Sequence, residues 1–344
     1  MTRRILVALV AVAFLAIIAY GMFGMGGSSG AGGMVGRGAA VSDPPAPAIT
    51  VRDLDVGQGD ATYIHNGDSR VLIDGGPDAR RMGFLLDSLG LDRKTIDVVI
   101  LTHQHSDHYT GLLPLFDSRR HIKVRYFFEN KDPSAASTLA RLRDSIISRV
   151  QSDSLQYRDT DDPCGDGEAM CNITLRGGAV LHIMRPLPAP AQANNRSVAV
   201  KVVGADSASF TMWIAGDAEH AAIANFEAAG YATNPGMKVD VLKADHHGSC
   251  NGVTPRYLEL TQPTWAVASL GSVNDYGHMH QQAKSEYRDA GVQWYRTDQN
   301  GTVTIQSPGT PGSGYTITPS RPGKDLNGKS DRRASARGCA GVGD

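Results

Sequence analysis

A chain of 344 residues with 41% apolar side chains can bury the core of one large α/β domain or two small ones, which excludes a wholly disordered protein. Its formal charge of −1 excludes nucleic-acid coating by bulk positive charge, so an anionic substrate has to be held by local groups.

Arg3 and Arg4 precede an apolar run from Ile5 to Met25. Basic residues before such a run orient it with the extreme N-terminus in the cytoplasm. Residues 1–25 are therefore expected to be a signal anchor or signal peptide. The run is near bilayer-spanning length and Ala19-Tyr20-Gly21 is a mediocre cleavage site, which favours a retained anchor over cleavage. The protein is expected to be exported, held at the membrane facing the periplasm or cell exterior, or secreted if the signal is cleaved. Residues 26–48, rich in Gly, Ser, Ala and Pro, cannot bury a core and read as a linker.

Residues 49–308 read as one domain. ITVRDLDVG, ATYIHNG and RVLIDGG are successive strands broken by glycine-containing turns, an antiparallel start. Met82, Leu85, Leu86 and Leu89 recur at helical spacing, and IDVVILT is an apolar run typical of a strand covered on both faces. Leu112 to Phe116 predicts a short helix, KVRYFFE a strand, and residues 135–150 an amphipathic helix. Cys164 and Cys171 enclose DPCGDGEAMC, expected to be a small disulfide-closed loop. AVLHIMRP, VAVKVVGA and SFTMWIAGD follow as strands, then a helix from Glu219 to Ala229. VDVLKADHHGS is a strand running into histidines, Pro255 to Leu260 starts a helix, TWAVASLG is a strand, Gln281 to Ala290 a helix, and TVTIQS the last strand. Strands followed by helices, twice over, predict an α/β fold with two β-sheets packed face to face between helical layers. Residues 309–344 are poor in core-forming side chains and are expected to be a flexible tail.

Metal-type side chains stand at three strand ends: His103, His105, Asp107 and His108 in THQHSDH, Asp217 after TMWIAG, and His246 with His247 after DVLKAD. Imidazole nitrogen and carboxylate oxygen suit borderline-soft divalent ions, and catalytic sites leave one position open for water. Clustering three imidazoles and a carboxylate without an ion is unfavourable. A tight loop would turn His103 and His105 to one ion and Asp107 and His108 to a neighbour. Asp217 taken alone could equally cap the following helix. Two close ions can generate a nucleophile from a shared water and absorb charge on the leaving oxygen, and phosphodiester hydrolysis fits that clamp.

DVGQGD at 55–60, LIDGG at 72–76, LTHQHSDHYTGL at 101–112, NNRSVAVKV at 194–202, IAGD at 214–217, LKADHHGS at 242–249 and NDYGHMH at 274–280 together resemble the metallo-β-lactamase-fold domain of the ComEC competence protein family. The order and spacing match from about Thr50 to Ser307. HxHxDH alone indicates only the broad superfamily, whereas DVGQGD with HHGS and YGH is far more specific. The resemblance implies a four-layer αββα fold of two mixed β-sheets. It implies an exported phosphodiesterase or nuclease-like enzyme that uses a metal-bridging hydroxide and two divalent ions, zinc first and manganese as the alternative. His103 and His105 would hold the first metal, Asp107 and His108 the second, and Asp217 would bridge. Of the later pair, His246 is preferred as the ligand and His247 is left to contact substrate. Asp107, His247 and His278 are the expected catalytic groups, His278 as transition-state donor or leaving-group acid. Asp74 would brace a ligand imidazole. Asp55, Gln58, Asp60 and Ser249 would contact substrate or brace the ligands, and Asp55, Gln58 and Asp60 could instead serve turn chemistry alone. His121 and His182 come in the right order for the superfamily's intermediate histidine but lie in strand-like runs, so water or Asn195 is expected to complete the first site.

Substrates implied are phosphodiesters or other phosphoesters, DNA among them. Arg119, Arg120, Lys123 and Arg125 could form a contact strip, but charge alternating with Ile122, Val124 and Tyr126 is the usual pattern of a solvated strand face. Proteins of that family carry a multi-span channel section, whereas this chain offers one apolar segment, so DNA transport is not expected of it. One alternative is β-lactam hydrolysis, disfavoured because Asp217 stands where thiolate-bearing subclasses place a cysteine. Cys250 could revive a thiolate reading but is expected to be buried or disulfide-bonded. The other alternative is a non-catalytic nucleic-acid or surface-binding module with a structural metal, disfavoured because structural zinc sites are closed by four protein ligands, often cysteines.

Overall fold

Alternation of buried side chains organises two sheets. The computed structural model describes residues 49–332 and 339, apart from 131–132, 134, 160–163, 165–167, 189, 311 and 324–326. The expected anchor and linker lie outside the described residues, among which no helix is long and apolar enough to cross a membrane.

In chain order the elements are β1 (Ile49–Asp53), β2 (Thr62–Asn66), β3 (Ser69–Ile73), α1 (Ala79–Ser88), β4 (Thr95–Ile100), α2 (Ser106–Tyr109), β5 (Lys123–Glu129), α3 (Ser137–Gln151), β6 (Gln156–Asp159), β7 (Met170–Thr174), β8 (Val180–Met184), β9 (Ala199–Val203), β10 (Thr211–Ile214), α4 (His220–Ala228), β11 (Val241–Lys243), α5 (Pro255–Thr261), β12 (Trp265–Ala268), α6 (Gln281–Asp289), β13 (Gln293–Arg296), α7 (Thr297–Asn300), β14 (Val303–Ser307) and β15 (Thr316–Pro319). The first sheet runs β15-β14-β1-β2-β3-β4-β5-β6 and the second β13-β12-β11-β10-β9-β8-β7. Both are mixed. β1, β2 and β3 pair antiparallel and β3 to β6 parallel, while β7 to β10 pair antiparallel and β10 to β13 parallel.

Val71, Ile73, Val98 and Ile100 face Ile183, Val200, Met212 and Val241 between the sheets. Their neighbours point outward: Leu72, Val99 and Phe127 meet Met82, Leu86, Leu139 and Leu142 of α1 and α3, while Trp213, Leu242 and Ala266 meet Phe226, Tyr257 and Tyr287 of α4, α5 and α6. This is the expected four-layer αββα arrangement. Helix starts are set locally. Asp78 caps α1 by accepting from Arg80 N–H at 2.7 Å and Arg81 N–H at 2.9 Å, and Thr254 caps α5 just before Pro255.

Sequence patterning missed β6, β7, β13 and β15, because these short outer strands bury too few side chains to alternate clearly. β15 corrects a boundary, since it pairs antiparallel with β14 and extends the domain into residues expected to be tail. Further on, the buried Lys284 Nζ and Arg296 guanidinium both reach Asp331, at 2.6 and 2.8 Å. Disulfides join Cys164 to Cys171, as expected, and Cys250 to Cys339. Those bridges use all four cysteines of the chain. Thiol titration of the denatured, unreduced protein should therefore find essentially no free thiol, and four per chain after reduction.

Candidate metal centre

The carboxyl ends of the parallel strands β3, β4, β10 and β11 open at one rim, the usual position of ligand sites in such sheets. Asp74 follows β3, His103 to His108 follow β4, Asp217 follows β10, and His246 and His247 follow β11. Asp74, His246 and His247 adopt left-handed backbone, with φ of 58°, 48° and 56°. Strain of this kind, about 1–3 kcal/mol per residue, is held in place by the surrounding packing. Two glycines permit the loops to close. A Cβ on Gly59 would lie 2.3 Å from the Asp107 carbonyl oxygen, and one on Gly216 would lie 2.4 Å from Thr102 Oγ1.

Asp217 sits at the centre. Its Oδ2 is 3.6 Å from His103 Nε2 and 3.8 Å from His246 Nε2. Its Oδ1 is 3.2 Å from His108 Nε2 and 3.4 Å from His247 Nε2, and the latter is also 3.3 Å from Asp107 Oδ2. His105 Nδ1 lies 3.1 Å from His103 Nε2. Two sets result, each able to hold an ion: His103, His105 and Asp217, and Asp107, His108, Asp217 and His247.

Three observations test whether a metal suits these residues. His108 Nε2, His247 Nε2 and Asp217 Oδ1 are buried and make no hydrogen bond, an arrangement that a bound cation would satisfy. The supporting hydrogen bonds also assign the imidazole tautomers. His247 Nδ1 donates to the Ser269 carbonyl at 2.9 Å, and His108 Nδ1 to Asp74 Oδ2 at 2.8 Å. The Thr102 hydroxyl donates to Asp74 at 2.7 Å, so its oxygen accepts from His103 Nδ1 at 3.2 Å. Each Nε2 is thereby left as the lone-pair nitrogen turned to Asp217. Finally, burial favours a neutral Asp217, but His247, His108, His246 and His103 override it and hold the carboxyl well below its usual range. Burial likewise opposes charge on His247, yet Asp217 and Asp60 push it up to about 10. Carboxylates and imidazoles in this cluster thus offset the burial of one another.

The remaining expected residues divide. Asp74 braces His108, as expected. Asp60 lies 3.2 Å from His247 Nδ1 and 2.7 Å from the buried Lys243 Nζ. Gln58 and His278 line a cleft of about 350 Å³ with His105, Asp107, Asn194, Asp217, His246, His247 and Tyr276. Burial and the neighbouring His247 and His246 hold His278 down to about 2, so it is neutral. Asp55 instead sits in the adjoining cleft, 3.5 Å from Arg81 and 3.2 Å from Arg321.

Several expectations are corrected. His247, not His246, belongs to the second set, and His246 Nδ1 turns to Glu219 Oε1 at 3.1 Å. Asn195 is not among the residues that line the cleft. Its Oδ1 accepts from Glu219 and Ala222 N–H at 3.2 and 3.1 Å, bracing α4, while its neighbour Asn194 takes the cleft position. Ser249 is buried and only closes a turn by accepting from Asn251 N–H. Asp217 does not cap α4, where Glu219 holds the cap position. His121 is exposed and His182 pairs with Asn172 at 2.6 Å, so neither joins the cluster. The basic strip lies at the opposite end of β5 from the site. There Arg119 pairs with Asp117, Arg120 with Asp87 and Asp92, and Arg125 approaches Asp97. Lys243, Asn194, Glu219 and Tyr276 were given no role from the sequence, although Asn194, Lys243 and Tyr276 fall within the motifs NNRSVAVKV, LKADHHGS and NDYGHMH.

Residues 54–127 match the family model described as the metallo-beta-lactamase superfamily. ComE operon protein 3 of Bacillus subtilis is 27% identical over 273 residues, 73% of this chain, which spans 32% of that relative's length. Among solved structures, a diphosphatase of the PhnP family is 15% identical with a TM-score of 0.45, covering 76% of this chain and 98% of its own. The metallo-beta-lactamase fold protein YhfI of Bacillus subtilis is 13% identical with a TM-score of 0.44, covering 73% and 96%.

Proposed function

We propose, from the premise that this chain carries a metallo-β-lactamase superfamily hydrolase domain related to ComE operon protein 3, that it is a two-metal phosphodiesterase. One observation carries the reading: two donor sets meet on opposite oxygens of Asp217, with unpartnered nitrogens turned inward. Asp107, His108 and His247 would hold one ion with Asp217 Oδ1. His103 and His105 would hold the other with Oδ2, and His246, facing that same oxygen, would supply the ligand that no intermediate histidine provides. Divalent ions held there supply Lewis acidity toward water and a phosphoryl oxygen.

The protein's own groups do the rest. Asp74, Thr102, Asp60 and the Ser269 carbonyl keep the ligand imidazoles in one tautomer and orientation. Neutral His278 offers a hydrogen bond to the substrate or to its departing oxygen. Gln58 and Asn194 line the same cleft. A position outside the cytoplasmic membrane is supported by two disulfides, which persist in oxidising compartments.

Elemental analysis combined with turnover of bis-p-nitrophenyl phosphate, single-stranded DNA and a chromogenic cephalosporin tests the reading. About two divalent ions per chain and diester hydrolysis without cephalosporin turnover are expected, with activity lost in His103→Ala and Asp107→Ala. Metal without diesterase activity, or turnover surviving both substitutions, overturns it.

A further inference from the structure

The loop between β12 and α6 carries the two most exposed large apolar side chains among the described residues: Val273 is 82% and Tyr276 65% exposed. The backbone of the loop that carries Tyr276 is held from below. Asn274 Oδ1 accepts from the N–H groups of Gly277 and His278 at 2.7 and 2.9 Å, and its Nδ2 donates to the carbonyls of Gly271 and His278 at 3.2 and 2.9 Å. The C-terminal segment adds a second brace, where Arg332 N–H donates to the Gly277 carbonyl at 3.0 Å and Asn274 N–H to Ser330 Oγ at 3.2 Å. One face of the Tyr276 ring lies on His278, with centroids 5.6 Å apart and planes 24° from parallel. The other face is left to solvent at the mouth of the metal cleft, which Tyr276 lines together with Asp107, Asp217 and His247.

An exposed aromatic ring backed by His278 beside a phosphodiester site has the form of a stacking platform, since every nucleobase offers a π-face and stacking is tolerant of sequence. We propose that Tyr276 stacks on the nucleobase next to the scissile linkage, making unpaired nucleic acid the preferred class of diester. Gln58 and Asn194 line the same cleft. A base inside a duplex has both faces covered by its neighbours, so a paired substrate cannot use this platform. The proposal rests on the phosphodiesterase reading for its choice of ligand but not for its measurement.

Binding of short fluorescent single-stranded DNA and RNA oligomers to the full chain, followed by anisotropy and by quenching of a 2-aminopurine base, tests it without requiring turnover. Tyr276→Ala should weaken binding roughly ten-fold or more and abolish the quenching, while Tyr276→Phe retains both. Unchanged oligomer binding in Tyr276→Ala, equal binding of duplex and single strand, or no oligomer binding by the wild type overturns the platform. Tyr276-dependent binding without any hydrolysis supports the platform and refutes the phosphodiesterase. DNA and RNA arms that differ assign the sugar preferred, and either assignment keeps the stacking role.

Discussion

Asp217→Asn is expected to abolish hydrolysis and to lower the metal content at both sites, where a change confined to one set would remove one ion. Both carboxylate oxygens are engaged, Oδ2 facing His103 and His246 and Oδ1 facing His108 and His247. An amide nitrogen at either position turns a donor toward a cation. Groups that only brace a ligand typically cost 10–100-fold in affinity or activity when removed. Asp74→Asn should fall in about that range, and Asp217→Asn well beyond it. Elemental analysis beside kcat/KM measured over added zinc or manganese checks the series. An Asp217→Asn protein that keeps two ions and turns over substrate like Asp74→Asn would show that the carboxylate is not shared.

Asp331→Ala is expected to destabilise the fold by about 3–5 kcal/mol, the effect of stranding buried charge. Lys284 and Arg296 are essentially inaccessible to water, and Asp331 meets both, with Arg296 Nη1 and Nη2 each 2.8 Å from its two oxygens. Arg296 keeps Asp298 at 2.6 Å and Lys284 keeps the Asn327 amide oxygen at 2.9 Å, so the lower end of the range is expected. Burial alone would raise the Asp331 carboxyl, but Arg296 and Lys284 override it and hold it below the usual value. A depressed carboxyl contributes stability that is complete above the unfolded pKa, about 4, and is lost as pH falls through the folded value. The gap between wild type and variant in urea unfolding should therefore be full at neutral pH and shrink in acid. A constant gap down to strongly acidic pH would assign the loss to packing rather than to charge.

The first half of the candidate metal centre was legible because its candidate ligands stand within one short run after an apolar strand, where residues near in the chain are near in space. The second half depended on backbone twist. His246 and His247 follow the same strand, and which one turns inward is decided by consecutive left-handed residues that no spacing rule reveals. Asn194 and Asn195 were exchanged for a similar reason, since a single 3-10 turn sends one amide to the cleft and the other to the start of α4. Lys243 reaches Asp60 across 183 positions of sequence, and Asp331 reaches Lys284 and Arg296 across 47 and 35. Such long-range pairs leave no periodic trace. The C-terminal residues looked like tail because composition reports core-forming capacity alone, and this segment is tied down by charge, a short edge strand and a disulfide instead.

The bridge from Cys250 to Cys339 spans 89 positions and begins just past the histidine pair. Everything from α5 to β15 therefore lies inside a covalent ring. Tension applied along the chain would pass through the sulfur–sulfur bond and leave the ring's contents unstretched, so a processive unfolding machine pulling from either side meets a loop that cannot be drawn out as a single strand. The loop bearing Tyr276 and His278 lies within that ring, shielded from mechanical unravelling for as long as the bridge stays closed.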